Sequence, residues 1–142
     1  MSRINQGMFT SDRDDWETPQ DLFDRYNDGF HFTLDVCASK ENTKCERYFT
    51  KEQDALKQDW TGERCWCNPP YGSAISDFVK KAFESKALTV MLLPARTDTK
   101  WFHKYIYNHY PIDFLKGRIR FVGASSTAPF PSMVVVFDNL SE

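Results

Sequence analysis

The stretch RCWCNPPYG, residues 64–72, is the part of the sequence from which the fold is best predicted. Residues 64–68 predict a short buried strand, which ends at Asn68-Pro69-Pro70 because proline cannot donate to a strand's hydrogen bonds. The two prolines also fix two φ angles, so the local carbonyls face outward as acceptors. Asn68 adds a side-chain carbonyl and Tyr71 adds a flat ring. We therefore expect a strand whose carboxyl end presents hydrogen-bond acceptors beside an aromatic face.

Such a strand end fits a planar exocyclic amine. Two acceptors take the two hydrogens of the amine while the ring of Tyr71 packs on the attached base. Hydrogens held out of the base plane would localise the nitrogen lone pair, so that a poor nucleophile can attack a methyl sulfonium without a prior general base. Asn68, Pro69, Pro70 and Tyr71 are therefore the candidate catalytic residues. The structural alternative is a proline-rich turn that Asn68 and Tyr71 stabilise.

Helical and strand patterns alternate on both sides of this stretch. Thr18-Pro19 predicts the start of a helix with Thr18 as its N-cap, and Asn27-Asp28-Gly29 predicts its end. The remaining predicted elements are a strand over 30–36 with Asp35 near its end, a short strand over 48–50, a helix from Ser76 or Asp77, a buried strand over 88–93, a helix capped by Thr97 or Asp98, and strands over 112–121 and 133–137.

This alternation predicts an α/β fold with a twisted sheet, mainly parallel, and an antiparallel pair of strands at its C-terminal end. In open sheets of this kind, ligands bind outside the carboxyl ends of the strands. Asp35, Asn68 and Pro94 all fall at such ends. We therefore expect the three to lie along one edge of the sheet.

A chain of 142 residues accommodates one domain. We expect a polar N-terminal arm over residues 1–15 and a single domain over residues 16–142. Residues 1–67 hold 9 Lys and Arg against 14 Asp and Glu, whereas residues 68–142 hold 9 against 6. The second half is therefore basic, which permits contact with nucleic acid without requiring it.

Neither a signal peptide nor a membrane span is predicted, so we expect a cytoplasmic protein. In a reducing compartment the four cysteines should be free thiols. Their spacing, C-x7-C and C-x-C, does not match the usual zinc patterns, and no metal is predicted.

Several motifs along the chain together resemble those of one family. They are Trp16-Glu17-Thr18-Pro19, Leu34-Asp35-Val36-Cys37-Ala38-Ser39, Asp54-Ala55-Leu56 with Asp59-Trp60, the Asn-Pro-Pro-Tyr-Gly run, Leu93-Pro94-Ala95-Arg96-Thr97-Asp98, Gly117-Arg118-Ile119-Arg120-Phe121 and Pro129-Phe130-Pro131-Ser132. In this order, from Trp16 to about Phe137, they resemble the compact phage adenine-N6 methyltransferases of Dam type. The resemblance implies a Rossmann-like methyltransferase fold and transfer of a methyl group from S-adenosylmethionine, with S-adenosylhomocysteine as product, to adenine N6 of double-stranded DNA.

The resemblance also implies which residues hold the methyl donor. The predicted set is Trp16, Thr18, Pro19, Asp35, Cys37, Ala38, Ser39, Asp54, Ala55 and Asn68. Thr18 and Pro19 are similar to a segment that touches the methionine moiety, and Asp54 to an acid that accepts from the adenine amine of the donor. The glycine-rich turn usual after the first strand is replaced here by Cys37-Ala38-Ser39. No single acid can be chosen for the ribose, because Glu41, Glu46 and Glu52 all remain candidates.

DNA contacts are predicted from the basic half of the chain. Lys116, Arg118 and Arg120 alternate with uncharged residues, so on a continuous strand they would share one face. Arg96 and Lys100 follow the buried strand near the same edge of the sheet, and phosphate contacts of this kind position DNA without reading its sequence. Phe130 resembles an aromatic residue that helps to clamp a flipped base. Solvated charges and loop packing are the structural alternatives.

Two other functions remain compatible with the sequence. The same chemistry could act on RNA adenine or on a glutamine side-chain amide, or the chain could be a non-catalytic DNA-binding or decoy relative that has lost the donor. The row of basic residues favours nucleic acid, and the intact Asn68–Tyr71 run argues against a decoy. We expect a phage or prophage protein that acts in a bacterial host cell, as a monomer or a homodimer.

Overall fold

The centre of the protein is a five-stranded sheet. The computed structural model describes residues 16–140, so the predicted arm over residues 1–15 lies outside the described residues. The strands are β1 (Leu34–Asp35), β2 (Arg64–Cys67), β3 (Leu88–Pro94), β4 (Ile112–Phe114) and β5 (Ser132–Asp138). The helices are α1 (Gln20–Phe30), α2 (Ile75–Glu84) and a π-helix (Phe102–Ile106), with two 3₁₀ turns at Lys51–Gln53 and Ala55–Lys57.

The strand order is β1-β2-β3-β5-β4. β1, β2 and β3 pair in parallel, whereas β5 pairs antiparallel with both β3 and β4. Four of these five strands therefore run in one direction, and β5 is inserted between β3 and β4 in the opposite one. The predicted α/β class, with a parallel centre and an antiparallel C-terminal pair, is confirmed.

Alternation along the strands gives the sheet two apolar faces, and helices cover both of them. Trp66, Leu88, Val90 and Leu92 point to the face that packs against Leu22 and Phe23 of α1. Cys65, Cys67, Met91 and Leu93 point to the opposite face, which packs against α2 and the π-helix. Every residue of β3 is buried, as predicted for a strand covered on both sides.

The first helix and strand differ from the prediction in their boundaries. Thr18 is not the N-cap; Pro19 occupies that position, and the helix begins at Gln20. The helix does not stop at Gly29 but at Phe30, where His31 adopts a left-handed φ of 54° and donates its N–H to the carbonyl of Asn27. Since Phe30 is helical, the predicted strand over 30–36 is reduced to Leu34–Asp35.

Residues 48–50 do not form the predicted strand either. Tyr48 makes one isolated bridge to Asp35, parallel in sense. The neighbouring Phe49 donates its N–H to Asp35 O at 2.9 Å and accepts from Ala38 N at 3.0 Å. This short extended segment therefore lies beside the end of β1, where the sheet would otherwise have an open edge.

Helix caps in the second half were also predicted wrongly. The second helix begins at Ile75 after Ala74, so Ser76 and Asp77 lie in its first turn. Residues 97 and 98 form a turn, and Thr99 is the residue whose hydroxyl accepts from Phe102 N. The predicted strand over 112–121 ends at Phe114, because the chain turns through Gly117 at φ +79°. Residues 115–131 consequently form an irregular segment, apart from one bridge between Glu17 and Val122.

Candidate active site

Three parallel strands bring their carboxyl ends to one edge of the sheet. Asp35 ends β1, Asn68 follows β2 and Pro94 ends β3. β5 runs the other way, so its first residue, Ser132, pairs with Pro94 at this same edge. The predicted common edge of Asp35, Asn68 and Pro94 is confirmed, and the irregular segment over residues 115–131 enters β5 beside them.

Asn68 is held through its side-chain nitrogen. Nδ2 donates to the backbone carbonyl of Trp16 and to Thr18 Oγ1, the latter at 3.0 Å. A backbone carbonyl can only accept, so the nitrogen of the amide must face Trp16 and Oδ1 must face away from it. No described residue donates to Oδ1. Asn68 therefore presents a free acceptor, as the strand-end chemistry requires.

Tyr71 lies in an aromatic cluster. Its ring meets Phe121 at 6.0 Å and 80°, and Phe130 at 5.7 Å and 67°. Its hydroxyl is 3.5 Å from Leu92 O, which is at the limit of a hydrogen bond. Burial, with a smaller contribution from Cys67, raises the pKa of Tyr71 above its ordinary value. The hydroxyl therefore stays protonated.

The carboxylate of Asp35 organises the chain after β1. Oδ1 accepts from Cys37 N at 3.2 Å and Oδ2 from Lys44 N at 3.0 Å. Asp35 is only 3% exposed, and burial raises its pKa from 3.8 to about 6 although both hydrogen bonds and the Lys44 charge lower it. A loop over residues 36–44, closed by these hydrogen bonds, thus follows β1 in place of the glycine-rich turn that is usual there.

A pocket of about 850 Å³ opens between this loop, the two 3₁₀ turns and the start of α2. Of the residues predicted to hold the methyl donor, all but Pro19 line it: Trp16, Thr18, Asp35, Cys37, Ala38, Ser39, Asp54, Ala55 and Asn68. Pro70 of the predicted catalytic run lines it too. Among the three candidate ribose acids, Glu41 and Glu52 line the pocket and Glu46 does not.

Lys44 also lines the pocket, although no sequence motif pointed to it. Its Nζ lies 3.2 Å from Glu17 Oε2 and 3.2 Å from Gln20 Oε1, and its side chain is 6% exposed. The contact joins the loop after β1 to the segment before α1. No spacing in the sequence predicts the contact between Lys44 and Glu17, because these two residues meet only when the loop over residues 36–44 has closed.

The basic residues are arranged differently from the prediction. Lys116, Arg118 and Arg120 do not share a strand face, because residues 115–131 leave the sheet. All three nevertheless line a second cleft, of about 440 Å³, together with Arg25 of α1, a residue the sequence did not point to. Arg120 also donates to the carbonyls of Ala124 and Ser125, so it stabilises its own segment. Pro19 lines this second cleft and not the first.

Arg96 and Lys100 lie elsewhere, after the end of β3. The guanidinium of Arg96 is 5.8 Å from the ring centroid of Phe130, which itself meets Tyr71. Arg96 and Lys100 are both exposed. Arg96 therefore lies against the aromatic cluster that contains Tyr71 and Phe130. Lys100 makes no ion pair with the described residues.

The described residues contain no group of three or more His, Cys, Asp or Glu placed to hold a metal ion. All four cysteines are free thiols. Between residues 16 and 140, no helix is long and apolar enough to cross a membrane.

Comparison with known proteins gives concordant matches. A family model described as DNA N-6-adenine-methyltransferase (Dam) matches residues 6–141. A DNA N-6-adenine-methyltransferase of Haemophilus phage HP1 is 36% identical over 140 residues, covering 90% of this chain and 80% of that protein. One from Escherichia phage T1 is 41% identical over 108 residues, covering 70% of this chain but only 44% of the relative. A putative methyltransferase of Escherichia coli, YfdM, is 39% identical over 66 residues, covering 41% of this chain and 71% of that protein.

Proposed function

Given that this chain belongs to the DNA N-6-adenine-methyltransferase (Dam) family, we propose that it transfers a methyl group from S-adenosylmethionine to N6 of an adenine flipped out of DNA. Methylation of adenine N6 in DNA follows from the family and from the named activity of two phage relatives. The donor, the base flipping and the residue roles are our proposal. The observation that carries it is the orientation of the Asn68 amide, with Oδ1 free at the edge of a large pocket.

The pocket suits S-adenosylmethionine in size and chemistry. About 850 Å³ falls within the usual range for cofactor sites. Trp16 and Phe78 supply apolar surface, Asp54 a carboxylate for an adenine amine, and Glu41 and Glu52 carboxylates for ribose hydroxyls. When bound, S-adenosylmethionine supplies a methyl group made electrophilic by its sulfonium. The small side chains of Cys37, Ala38 and Ser39 let the donor pack closely against that turn without a glycine. Their N–H groups already donate to Asp35 Oδ1, Phe49 O and Asn42 Oδ1, so the turn offers the donor its surface and not these N–H groups.

Asn68 and the neighbouring proline carbonyls would hold the target amine. Asn68 Oδ1 accepts one amine hydrogen and a carbonyl of residues 68–70 accepts the other. Both acceptors would leave the nitrogen lone pair directed toward the donor pocket, and neither would remove a proton before the transfer. The bond from sulfur to the methyl group would break as the bond to N6 forms, S-adenosylhomocysteine would leave, and N6 would release its extra proton to water afterwards. The Tyr71 ring would pack on the adenine, with its hydroxyl protonated.

Entry of the base requires Phe130 to move relative to Tyr71. Stacked carbon atoms lie about 3.5–4 Å apart, so a base between two rings needs centroids separated by roughly 7 Å. The observed separation is 5.7 Å. We therefore assign Phe130 to the mouth of the base pocket, where it covers Tyr71 until the flipped adenine enters between the two rings. Extrusion of the nucleotide makes N6 accessible, as base-modifying enzymes require.

Exposed cations on two parts of the surface would contact DNA phosphates. Lys116, Arg118 and Arg120 line the second cleft together with Arg25, and Arg96 and Lys100 lie after β3. These contacts fix the position of the duplex, whereas sequence reading needs contacts to base edges. Arg120 contributes less than Arg118, because Arg120 is already bound to two carbonyls.

We assign the fold to the compact Rossmann-like methyltransferases. Helices on both faces of a sheet whose parallel strands present the site at their carboxyl ends support this assignment. The order β1-β2-β3-β5-β4 departs from the common doubly wound orders. The phage origin of two relatives supports action in the cytoplasm of a bacterial host.

The direct test is to incubate the protein with S-adenosylmethionine carrying a labelled methyl group. DNA amplified in vitro, which has no methyl groups, is one acceptor; transcribed RNA and a protein extract are the others. We expect the label in DNA, recovered as N6-methyladenine after digestion to nucleosides. Label in RNA or protein alone would contradict DNA as the substrate, and failure to bind S-adenosylhomocysteine would contradict the donor.

A further inference from the structure

The hydroxyl of Thr18 has a different partner from the one its position before a helix suggests. Thr18 is 2% exposed, and Pro19, not Thr18, is the N-cap of α1. Its Oγ1 instead accepts from Asn68 Nδ2 at 3.0 Å, across 50 residues of sequence. A buried threonine that does not cap its helix thus contacts the side chain with the free acceptor.

Two hydrogen-bond acceptors are needed to fix the orientation of the Asn68 side-chain amide. The last torsion of an asparagine side chain is broad and weakly restrained by its own backbone. The carbonyl of Trp16 decides which end of the amide is nitrogen, but one hydrogen bond still permits rotation of the amide plane. Thr18 Oγ1 takes the second hydrogen and fixes that plane. The direction of Oδ1 follows from the two contacts together.

The segment that carries these acceptors is itself held from two sides. Glu17 O accepts from Val122 N at 3.1 Å, and the Trp16 ring meets Phe121 at 6.4 Å. On the other side, Glu17 Oε2 is 3.2 Å from Lys44 Nζ. Thr18 therefore occupies a defined position relative to both the pocket and the segment that covers Tyr71.

We propose that Thr18 is a positioning residue for methyl transfer, which orients Asn68 Oδ1 toward the target amine. This inference rests on the proposed function, since it assigns Thr18 a role in the same reaction. The resemblance to the family implies a different role, contact with the methionine moiety of the donor. The two roles separate kinetically: an orienting group lowers kcat when lost, whereas a donor contact raises the KM for S-adenosylmethionine.

Two matched pairs of proteins isolate the hydroxyl. Thr18→Val replaces it with a methyl group of similar size. Thr18→Ser and Thr18→Ala differ from each other by one oxygen atom, so they provide the comparison even if valine prevents folding. For each protein we would measure kcat, the KM for S-adenosylmethionine, the Kd of S-adenosylhomocysteine and the melting temperature.

We expect Thr18→Val to lower kcat roughly 3- to 10-fold, the effect of one lost neutral hydrogen bond, while the Kd of S-adenosylhomocysteine changes by less than about twofold. Thr18→Ser should keep nearly the wild-type kcat, whereas the kcat of Thr18→Ala should be lowered about as much as that of Thr18→Val. Unchanged kcat in both variants without the hydroxyl would overturn the inference, as would a raised KM with wild-type kcat. Failure of the proposed function is a separate result, because the wild-type protein itself would then form no N6-methyladenine.

Discussion

The ring of Phe130 covers the ring of Tyr71, with 5.7 Å between their centroids and 67° between their planes. The pair joins the irregular segment before β5 to the run that follows β2. The guanidinium of Arg96 lies over the ring of Phe130, 5.8 Å from the ring centroid. The residues that would receive the base are therefore packed on one another, and their contact must open for an adenine to enter.

Phe130→Ala should weaken use of DNA more than binding of the methyl donor. Loss of one base–aromatic contact typically costs about 1–3 kcal/mol, so kcat/KM for DNA should fall roughly 5- to 150-fold. The Kd of S-adenosylhomocysteine should stay unchanged, because Phe130 does not line the large pocket. Steady-state kinetics with Phe130→Trp as the flat-ring control checks this expectation. Equal losses in both variants would show that the ring acts through packing of its own segment.

The Tyr71 ring, and not its hydroxyl, should support activity. The hydroxyl is 3.5 Å from Leu92 O and its pKa is raised, so Tyr71→Phe should retain most of the activity. Tyr71→Leu, which removes the flat ring, should lose most of it. The measurement is kcat as a function of pH for both variants. A steep loss in Tyr71→Phe, or an alkaline limb of the wild-type profile that disappears in Tyr71→Phe, would contradict this assignment.

Asp35 should make the stability of the protein depend on pH between about 4 and 6. Its pKa is raised from 3.8 to about 6, so between these values the native state binds more protons than the unfolded state. Stability from this group is therefore greatest at the acidic end and falls, by up to about 3 kcal/mol, as the pH rises through about 6.

The control is Asp35→Asn, which removes the titration. Chemical denaturation at a series of pH values should show the free energy of unfolding of the wild type falling relative to Asp35→Asn as the pH rises. A constant difference between the two proteins would contradict the raised pKa. If the free energy of unfolding of the wild type instead rose relative to that of Asp35→Asn as the pH increased, the pKa of Asp35 would be lowered in the native state.

The second cleft should contribute phosphate contacts. Arg25→Ala and Arg118→Ala should each weaken DNA binding and reduce the slope of log Kd against log salt by about one. Lys80→Ala is the matched control, because Lys80 is exposed on α2, which packs on the opposite face of the sheet from α1. Binding measured at several salt concentrations checks this. Unaltered slopes in both arginine variants would exclude the cleft from the DNA interface.

The sequence was sufficient for features that depend on local chemistry. The run after β2, the buried β3 and the shared edge of Asp35, Asn68 and Pro94 follow from proline, from continuous apolar residues and from strand direction. It was insufficient where tertiary contacts outweigh local pattern. Alternation at residues 112–121 suggested a strand, but a turn at Gly117 takes these residues out of the sheet.

In the candidate site, too, some features follow from local sequence chemistry and others depend on tertiary contacts. The residues that the family resemblance assigned to the methyl donor nearly all line one pocket. Asp35 and Asn68 lie there because they stand at the carboxyl ends of neighbouring parallel strands. Thr18 was predicted as an N-cap from its place before Pro19, yet its hydroxyl accepts from Asn68. Arg25 and Lys44 could not be predicted, because their partners are distant in sequence and meet only in the folded chain.

The central claim is that Asn68 Oδ1 holds the target amine, and Asn68→Ala tests it most directly. The variant would be incubated with S-adenosylmethionine and unmethylated DNA, and N6-methyladenine would be quantified by mass spectrometry, with binding of S-adenosylhomocysteine as the check on folding. We expect binding of S-adenosylhomocysteine to persist and formation of N6-methyladenine to be abolished. Turnover at the wild-type rate in Asn68→Ala would contradict the account.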